Sequence, residues 1–483
     1  MSGDTGTPTD RVRQLLPWLV AVAFFMESLD TTILNTAVPT VAAALEVQAL
    51  SMKAVLSSYT LAVAVFVPVS GWLADRFGTR RVFATAIGLF TLGSLLCGLA
   101  TDIHTLVACR ILQGMGGAMM VPVGRLTLVR TFPKSELVRA MSFVAIPSLI
   151  GPMLGPVAGG FIVHYLHWRV IFFVNLPIGL LGLYMVWRHL PDYRSDHSTP
   201  LDWVGLVLFS AGIALLSYVL EVFGDHSLSG REMLALLGIS MALLAAYGRH
   251  AMTEPHPLLR LVLLRVRTFR VAVSGSFVTR LGAGGMPFLL PLLYQIGMGF
   301  SPVQAALLIV PQPLAAMCLK MTVPHILARV GYRRVLIWNT LLMGGCIMLF
   351  STIGPGTPVW QIVLQAFLFG FCSSLQYSSM NTLVYADIAP PDASMASTMA
   401  STLQQMSMSF GVATASLAAA LFIPDAVRSD PAQLIHGIHL AFLALGSLTV
   451  LLALVFRELK PGDGTAVSHG ASAAAGAKPA ALE

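Results

Sequence analysis

The segment GWLADRFGTRR, residues 71–81, returns in altered form as PHILARVGYRR, residues 324–334. Four positions of the first copy recur in the second at an offset of 253 residues: Arg76, Gly78, Arg80 and Arg81. Each copy lies between two long apolar runs. Self-similarity at a fixed distance indicates a duplicated architecture. The sequence therefore predicts two copies of one bundle of helices.

The composition indicates a chain that lies in a lipid bilayer. Of 483 residues, 56% are hydrophobic and only 11% are charged, whereas a soluble domain carries about 25% charged residues. The net charge of +7 would favour nucleic acid as the partner of a soluble protein. Here the arginines stand in short loops between apolar runs, so we expect an integral membrane protein with no nucleic-acid partner.

A helix needs about 20 largely apolar residues to cross a bilayer, and about fourteen runs in this chain are long enough. They predict an all-α integral membrane protein with spans near 15–37, 53–73, 82–100, 105–128, 138–163, 170–188, 202–223, 232–249, 270–294, 303–323, 335–353, 359–384, 398–422 and 437–457. The repeat places the first six and the last six spans in equivalent bundles, with two helices inserted between them.

The predicted domains follow from these spans. They are an N-terminal cytoplasmic tail (1–14), a six-helix bundle (15–190), two inserted helices (200–250), a cytoplasmic amphipathic linker (251–270), a second six-helix bundle (271–458) and a disordered cytoplasmic tail (459–483). In the linker, LLRLVLLRVRTFR (258–270) alternates basic and apolar residues, which predicts an interfacial helix under the bilayer.

The placement of lysine and arginine sets the expected orientation. If the N-terminus is cytoplasmic, about twenty of these residues fall on the inner side, and the outer side carries only Lys53, Arg169, Arg231 and Arg428. Both termini are therefore expected in the cytoplasm. The first apolar run lacks a basic leader and is followed by many more, so it is expected to be a retained span.

The sequence contains no pattern of a metal site or of a hydrolase. The five cysteines are odd in number, lie in apolar runs and form no CxxC pair: Cys97, Cys109, Cys318, Cys346 and Cys372. No span holds an HExxH or GxSxG pattern. We expect no enzyme, no metal and no cofactor, with the proton-motive force as the source of energy.

Six ionisable residues lie inside predicted spans: Glu27, Asp30, Arg110, Arg125, Arg280 and Lys320. Each costs about 2.5–3.5 kcal/mol at the centre of a membrane helix, so they are expected to face a wet cavity or one another. The candidate lining of a substrate cavity consists of Glu27, Asn35, Gln113, Arg280, Lys320 and Arg125. Glu27 and Arg280 are related by the repeat offset of 253 residues.

Glu27 and Asp30 are spaced to share one face of a helix. Depth along the spans places Asp30 near Arg110, so these two can pair. A carboxylate inside the membrane can take a proton from one side and release it when a cation approaches. Glu27, Asp30 and Arg110 are therefore candidates for proton coupling. The alternative is a static ion pair that joins spans one and four.

Two further stretches carry a pattern. RILQGMGGAMMVP (110–122) puts Arg110, Gln113 and two glycines on one stripe, which suits close helix packing as well as function. GPMLGPVAGG (151–160) repeats Gly-Pro, which predicts a bent, smooth helix that can rock against a neighbour or form a passive kink. The pattern comprises Gly151, Pro152, Gly155, Pro156 and Gly159.

In the loop 71–81, Asp75 is expected to accept hydrogen bonds from a helix N-terminus and to pair with the neighbouring arginines. Such a cluster can hold one conformation, although positive charge on the inner face alone would also explain the arginines. We name as the latch the set Gly71, Asp75, Arg76, Gly78, Arg80 and Arg81.

These motifs, in this order, resemble the major facilitator superfamily. The loop resembles the signature between spans two and three, with Thr79 where a basic residue is common. The stretches at 110–122 and 151–160 resemble the span-four and antiporter motifs. LDTTILNTAVP (29–39) and WRVIFFVNLPIG (168–179) resemble the fourteen-span branch, the drug:proton antiporter-2 family. The resemblance covers nearly the whole chain apart from its tails.

The resemblance implies a major facilitator fold and roles for single residues. Asp30 matches the acidic position of span one, and Arg110 matches the span-four arginine implicated in proton transfer. The latch matches a conformational element of the family. The resemblance also assigns to the antiporter motif a set that we call the antiporter bend: Gly151, Pro152, Gly155, Pro156 and Gly159. In the second repeat Ala328 replaces the latch aspartate, which leaves a second latch incomplete.

These observations lead to two main versions of the expected function. The resemblance implies a proton-coupled multidrug exporter that works by alternating access in the bacterial inner membrane. The interior charges are slightly positive, which instead favours an organic anion such as citrate or a metal–citrate chelate. A membrane receptor on a transporter scaffold is a third, remote version. The expected partners are a small-molecule substrate, protons and lipid, with the chain acting as a monomer, and no segment suggests a periplasmic adaptor.

Overall fold

The computed structural model describes residues 10–132, 134–194, 200–222, 229–319, 322–389, 392–423 and 431–464. These ranges contain helices and no strand. Lys320, most of the predicted N-terminal tail and the C-terminal tail beyond residue 464 lie outside them.

The chain forms two compact units, Met1–Trp203 and Val204–Glu483. The first contains α1 (Asp10–Ile33), a 3-10 helix (Asn35–Ala37), α2 (Val38–Ala44), a 3-10 helix (Ala49–Met52), α3 (Lys53–Phe77), α4 (Thr79–Leu99), α5 (Ile103–Thr131), α6 (Lys134–Tyr165), α7 (Val170–Phe173) and α8 (Asn175–His189).

The inserted pair is α9 (Trp203–Val222) and α10 (Gly230–Thr253). The second bundle then contains a 3-10 helix (Leu261–Arg265), α11 (Arg267–Ala283), α12 (Met286–Leu292), a π-helix (Leu293–Gly297), α13 (Pro302–Ile309), α14 (Pro311–Leu319), α15 (Val323–Val330), α16 (Tyr332–Leu349), a 3-10 helix (Phe350–Thr352), α17 (Val359–Leu383), α18 (Ala393–Phe422), α19 (Pro431–Leu452) and a 3-10 helix (Ala453–Glu458).

Thirteen helical segments of the described chain are long and apolar enough to cross a membrane. They correspond to all of the predicted spans except the fifth. That span, 138–163, lies inside α6, whose 32 residues reach about 48 Å at 1.5 Å per residue. Some of the side chains of α6 lie outside the described part of the structure.

The two bundles repeat one packing pattern. In the first, α1 packs on α6, α5 packs on α3 and α4, and α8 packs on α4. In the second bundle, the equivalent contacts are formed as follows: α11 packs on α18, α17 packs on α14 and α16, and α19 packs on α16. The duplication indicated by two short loops therefore extends to the packing of whole helices.

The first span of each bundle is interrupted at an equivalent point. In the first unit, the hydroxyls of Thr31 and Thr32 donate to carbonyls one turn back, 2.7 Å and 3.0 Å away, and α1 ends at Ile33. Such bonds bend a helix, and the span continues through α2. In the second unit α11 ends before two glycines, Gly284 and Gly285, and α12 follows.

The linker differs from its prediction. In place of an interfacial helix over 258–270, the structure has the short 3-10 helix Leu261–Arg265, and α11 begins at Arg267. The leucines of this stretch at 258, 259 and 263 are buried. Three arginines pair with carboxylates of the same unit: Arg260 with Asp392, Arg267 with Asp463 and Arg270 with Glu458. The prediction of one helix over 258–270 is therefore wrong, because the helical structure is interrupted at Val266. The position of this stretch relative to the membrane stays a prediction.

The antiporter bend presses α6 against α1. The helix runs unbroken from Lys134 to Tyr165, although it contains Pro152 and Pro156. Its glycines at 151, 155 and 159 face Ser28, Thr32 and the Ile33 carbonyl so closely that a Cβ at any of them would overlap α1. The smooth face of α6 therefore packs on the segment of α1 that carries Glu27 and Asp30.

We expect Gly155→Ala to lower the stability of the protein, because its methyl group would overlap the Thr32 hydroxyl. Overpacking of this kind costs about 1–3 kcal/mol. Gly88→Ala is the matched control, since a Cβ there meets nothing within 4 Å. Thermal unfolding of the purified variants in detergent measures the difference. Equal melting temperatures for the two variants would contradict the close packing of α6 on α1.

Candidate functional site

A buried ion pair lies at the centre of the first unit. The Arg110 Nη1 donates to Asp30 Oδ2 over 2.6 Å, and the two side chains are 2% and 1% exposed. Gln113 Nε2 donates to Asp30 Oδ1 over 2.8 Å, and Asn175 Nδ2 donates to the same oxygen over 2.9 Å. We call Asp30, Arg110, Gln113 and Asn175 the Asp30 cluster.

Four helices hold this cluster in place. Asp30 is on α1, Arg110 and Gln113 are one turn apart on α5, and Asn175 begins α8. On α4, Ser94 Oγ accepts from Asn175 over 3.0 Å and donates to the Phe172 carbonyl over 2.9 Å. Because a buried charged pair is stable only when its remaining polar atoms are satisfied, these bonds fix the positions of α1, α4, α5 and α8 together.

The guanidinium of Arg110 also lies over an aromatic ring. Its central carbon is 4.2 Å from the centre of the Tyr59 ring on α3, a distance typical of a cation–π contact. At the start of α5, Asp102 accepts the backbone N–H of Thr105 over 2.9 Å. Hydrogen bonds from the Thr105 side chain and backbone hold the pKa of Asp102 below its usual range.

Asn175 and Ser94 are site residues that the sequence analysis missed. The residues predicted for the site were mainly ionisable ones within the spans, with Asn35 and Gln113 as the two amides, and neither Asn175 nor Ser94 is ionisable. Asn175 is 1% exposed and stands in the motif WRVIFFVNLPIG, which served only as a family signature. An amide inside an apolar run needs a hydrogen-bond partner, so a search for all polar residues in the spans would have found it.

Glu27 lies one turn before Asp30 and differs from it, because its carboxylate has no hydrogen-bond or ion-pair partner among the described residues. This carboxylate is half-buried. Arg125 is exposed, lies 5.8 Å from the Phe24 ring centre and is near enough to act electrostatically on Glu27. Asn35 is half-buried in the 3-10 helix that follows α1.

Arg280 occupies the place in the second unit that Glu27 has in the first. It is 6% exposed. Its Nη1 donates to the Ser276 hydroxyl and to the Ser276 carbonyl, and its central carbon lies 4.0 Å from the centre of the Tyr377 ring. In the described part of the chain no carboxylate pairs with it. Lys320, the other predicted cavity cation, is outside the described residues.

The latch differs from its prediction in its partners. Asp75 lies in the last turn of α3 and binds Arg130, at the end of α5, with 2.5 Å between Oδ1 and Nη2. The expected partners were the arginines of its own loop. Arg76 instead lies 5.7 Å from the Trp72 ring centre. Arg76 and Arg81 are exposed, and nothing lies within 4 Å of a Cβ at Gly71.

A different aspartate accepts from the helix N-terminus. The backbone N–H of Arg80 donates to Asp192 Oδ1 over 3.2 Å, so Asp192, just after α8, binds the start of α4. Thr79 is buried there, and its hydroxyl donates to the Pro191 carbonyl and accepts from the Tyr193 N–H. The docked segment 191–193 explains why a small residue stands where the family commonly has a basic one.

The fold of two like bundles and the polar cluster inside one of them define a membrane transporter. The sequence profile of the Major Facilitator Superfamily matches residues 20–412, and the chain belongs to this superfamily. It is therefore a multi-pass membrane protein that transports small molecules and is not an enzyme. The family resemblance and the fold class predicted from the sequence are confirmed.

Relatives with a more specific name align with most of the chain. The chain is 40% identical over 445 residues to "Putative multidrug resistance protein MdtD" of Pectobacterium atrosepticum, which covers 92% of this chain and 95% of that protein. It is 41% identical over 448 residues to the protein of the same name from Escherichia coli O6:K15:H31, with 92% and 94% covered.

Solved structures share the fold at low sequence identity. A POT family transporter in complex with a thioalcohol-conjugated peptide has a TM-score of 0.69 at 14% identity, with 93% of this chain and 95% of that chain covered. A D-xylose–proton symporter has a TM-score of 0.65 at 14% identity, with 94% and 99% covered. This likeness concerns the fold alone.

We expect Arg110→Gln to destabilise the protein by about 3–5 kcal/mol, because it leaves the Asp30 carboxylate buried without its cation. Asp30→Asn combined with Arg110→Gln removes both charges and should recover part of that loss. Arg130→Gln, which removes the half-buried partner of Asp75, should cost about 1 kcal/mol or less, because that pair is still reached by water. Thermal unfolding in detergent compares the three. A double variant no more stable than Arg110→Gln would contradict the pairing.

Proposed function

We propose that this transporter is a proton-coupled exporter of small molecules that works by alternating access in the bacterial inner membrane, with both termini in the cytoplasm. The observation that carries the proposal is the buried carboxylate of Asp30, which is held by Arg110, Gln113 and Asn175. The names of the relatives, multidrug resistance proteins, support export of drug-like molecules as the first choice.

In this proposal Asp30 carries the transported proton. Protonation removes the negative charge that faces Arg110 and leaves a buried cation without a counter-ion. Because such a cation is strongly unfavourable, the cluster must rearrange. The rearrangement would move α1 relative to α5 and α8. One proton that enters down a potential of about 100 mV supplies about 2.3 kcal/mol, which is enough to bias two conformations of similar free energy.

The antiporter bend gives α1 a surface along which it can move. The glycines of α6 bring the backbones together without interlocking side chains, so α1 can shift with little steric resistance. Beyond the end of α1, the Thr36 hydroxyl also donates a hydrogen bond of 3.1 Å to the Pro156 carbonyl of the bend. Residues of the bend therefore act on the same helix that carries the proton.

Glu27 is the proposed contact for a cationic substrate. It shares a face of α1 with Asp30, it is half-buried, and it has no ion-pair partner among the described residues. A positively charged drug would satisfy this carboxylate and shift the charge balance one turn from the proton site. Substrate and proton could then exchange on one helix. The chain would need no resident cofactor or metal and would act as a monomer.

A second candidate substrate is an organic anion such as citrate or its metal chelate. The observation that favours it is Arg280, a buried guanidinium whose partners among the described residues are a tyrosine ring and a serine, with no carboxylate. An anion bound to Arg280 would supply the missing charge, and Tyr377 and Ser276 would help to orient it. Proton coupling through Asp30 would be the same for either substrate.

Everted membrane vesicles with an acidified lumen and a pH-sensitive dye test both candidates. We expect a lipophilic cation to collapse the pH gradient with the wild-type protein and not with Asp30→Asn. Asp102→Asn is the matched control, because it also removes one carboxylate and keeps an N-cap residue of similar strength. Loss of activity in both variants, or in neither, would contradict the role of Asp30.

Citrate and ferric citrate in the same assay distinguish the substrates. Arg280→Gln should abolish a response to these anions and leave a response to cations, whereas Glu27→Gln should do the reverse. Arg249→Gln removes a cation from an exposed residue of α10 that has no place in the proposed site, and serves as the control for charge alone. A response to anions that survives Arg280→Gln would exclude the anion site at Arg280.

A further inference from the structure

A basic cavity lies at the start of α16 in the second unit, on the face that the arginine distribution assigns to the cytoplasm. Its volume is ≈ 300 Å³. Residues of the second arginine loop and of α16 line one side of it, and the segment after the last helix lines the other. The lining includes Gly331, Tyr332, Arg333, Arg334, Trp338 and Pro461.

The two arginines of this cavity have no acidic partner. Neither Arg333 nor Arg334 makes a salt bridge or a side-chain hydrogen bond with a described residue, and the Arg333 Nε is buried without a partner. The nearby linker is different, because Arg260, Arg267 and Arg270 each bind a carboxylate. The unpaired charges of Arg333 and Arg334 therefore lie together at the cavity.

The backbone N–H groups at the start of α16 also have no side-chain acceptor. Gly331 precedes α16, and no side chain caps this helix. The first N–H groups of a helix have no partner within it, and the helix dipole makes that end favourable for a negative group. Two unpaired guanidinium groups and an uncapped helix N-terminus consequently face one cavity, which is a suitable arrangement for an anion.

The first unit contains the equivalent site with an anion in it. Gly78 and Gly331 have nearly the same conformation, with φ and ψ of 93° and 145° in one and of 82° and 151° in the other. A Cβ at Gly78 would overlap the Asp192 carboxylate, whereas a Cβ at Gly331 meets nothing within 4 Å. The space that a carboxylate fills at the start of α4 is therefore open at the start of α16.

In the second unit, the segment after the last helix carries a carboxylate, Asp463, but this group binds a different arginine. After the last helix of the second unit, Asp463 binds Arg267 through two bonds of 2.7 Å and 3.1 Å and accepts the N–H of Lys460 over 2.8 Å. Burial acts to raise the pKa of Asp463, but the bonds from Arg267 and Lys460 outweigh it and leave that pKa below its usual range. Asp463 thus stays ionised and committed to Arg267.

We propose that this cavity binds a phosphate group that Arg333, Arg334 and the N-terminus of α16 hold in the place that Asp192 takes in the first unit. An anionic lipid headgroup is the favoured source. Trp338 lines the cavity and is 65% exposed, and tryptophan is typical of the membrane interface. Basic pockets on the cytoplasmic side of membrane proteins bind anionic headgroups. Free phosphate would offer the same chemistry.

Native mass spectrometry of the purified full-length protein, titrated with phosphatidylglycerol or with zwitterionic phosphatidylcholine, tests this site. We expect the wild-type protein to bind phosphatidylglycerol in preference, and Arg333→Gln with Arg334→Gln to weaken that binding about tenfold, which is ~1.4 kcal/mol. Arg329→Gln is the matched control. It removes the same charge from an exposed residue outside the cavity lining and should bind as the wild type does.

Inorganic phosphate, added to delipidated protein in a thermal unfolding assay, distinguishes the source. Stabilisation that depends on Arg333 and Arg334 would assign the site to free phosphate, and its absence beside tight phosphatidylglycerol binding would assign it to lipid. Arg334→Gln alone, a change at an exposed side chain, keeps the test valid if the double variant does not fold. Equal binding of the two lipids together with no effect of phosphate, or an equal loss in Arg329→Gln, would overturn the proposal.

Discussion

The ion pair between Asp30 and Arg110 is the constraint on which the first bundle depends. Two opposite charges taken out of water are favourable only at close range and with every remaining polar atom satisfied. Gln113 and Asn175 satisfy the polar atoms of Asp30 here, and Ser94 accepts from Asn175, whereas the Arg110 Nε is buried with no hydrogen-bond partner among the described residues. Gln113, Asn175 and Ser94 come from three further positions on α5, α8 and α4, so the chemistry of one carboxylate dictates where four helices must lie. A change of charge at Asp30 consequently acts on the whole bundle.

Much of the fold could be predicted from the sequence because the bilayer imposes a simple rule. A span must be about 20 apolar residues long, and the predicted spans coincide with helices of the structure. The ends of the spans were harder to predict. The first span reaches beyond residue 37 to Ala44, because the chain continues as a 3-10 helix and α2. Hydrophobicity marks where a chain can lie in lipid, but it does not show where the backbone changes its helical type.

The candidate site was only partly accessible to sequence reasoning. The pairing of Asp30 with Arg110 followed from depth along two spans, because a charge in lipid needs a partner. The partner of Asp75 did not follow, because Arg130 is 55 positions away and many exposed arginines were available. The anchor at Asp192 was also missed. A loop aspartate outside the membrane carries no penalty that would single it out, so only the fold reveals what it binds.

Each bundle ends in a segment that turns back onto helices of the same bundle. The chain that leaves α8 turns back and binds the start of α4 through Asp192, and the chain that leaves the second bundle turns back and binds Arg267 through Asp463. Each copy of the duplicated unit therefore closes on itself before the chain goes on. In terms of gene architecture, such a module can be copied, and extra helices such as α9 and α10 can be added behind it, without disturbing the packing of either copy.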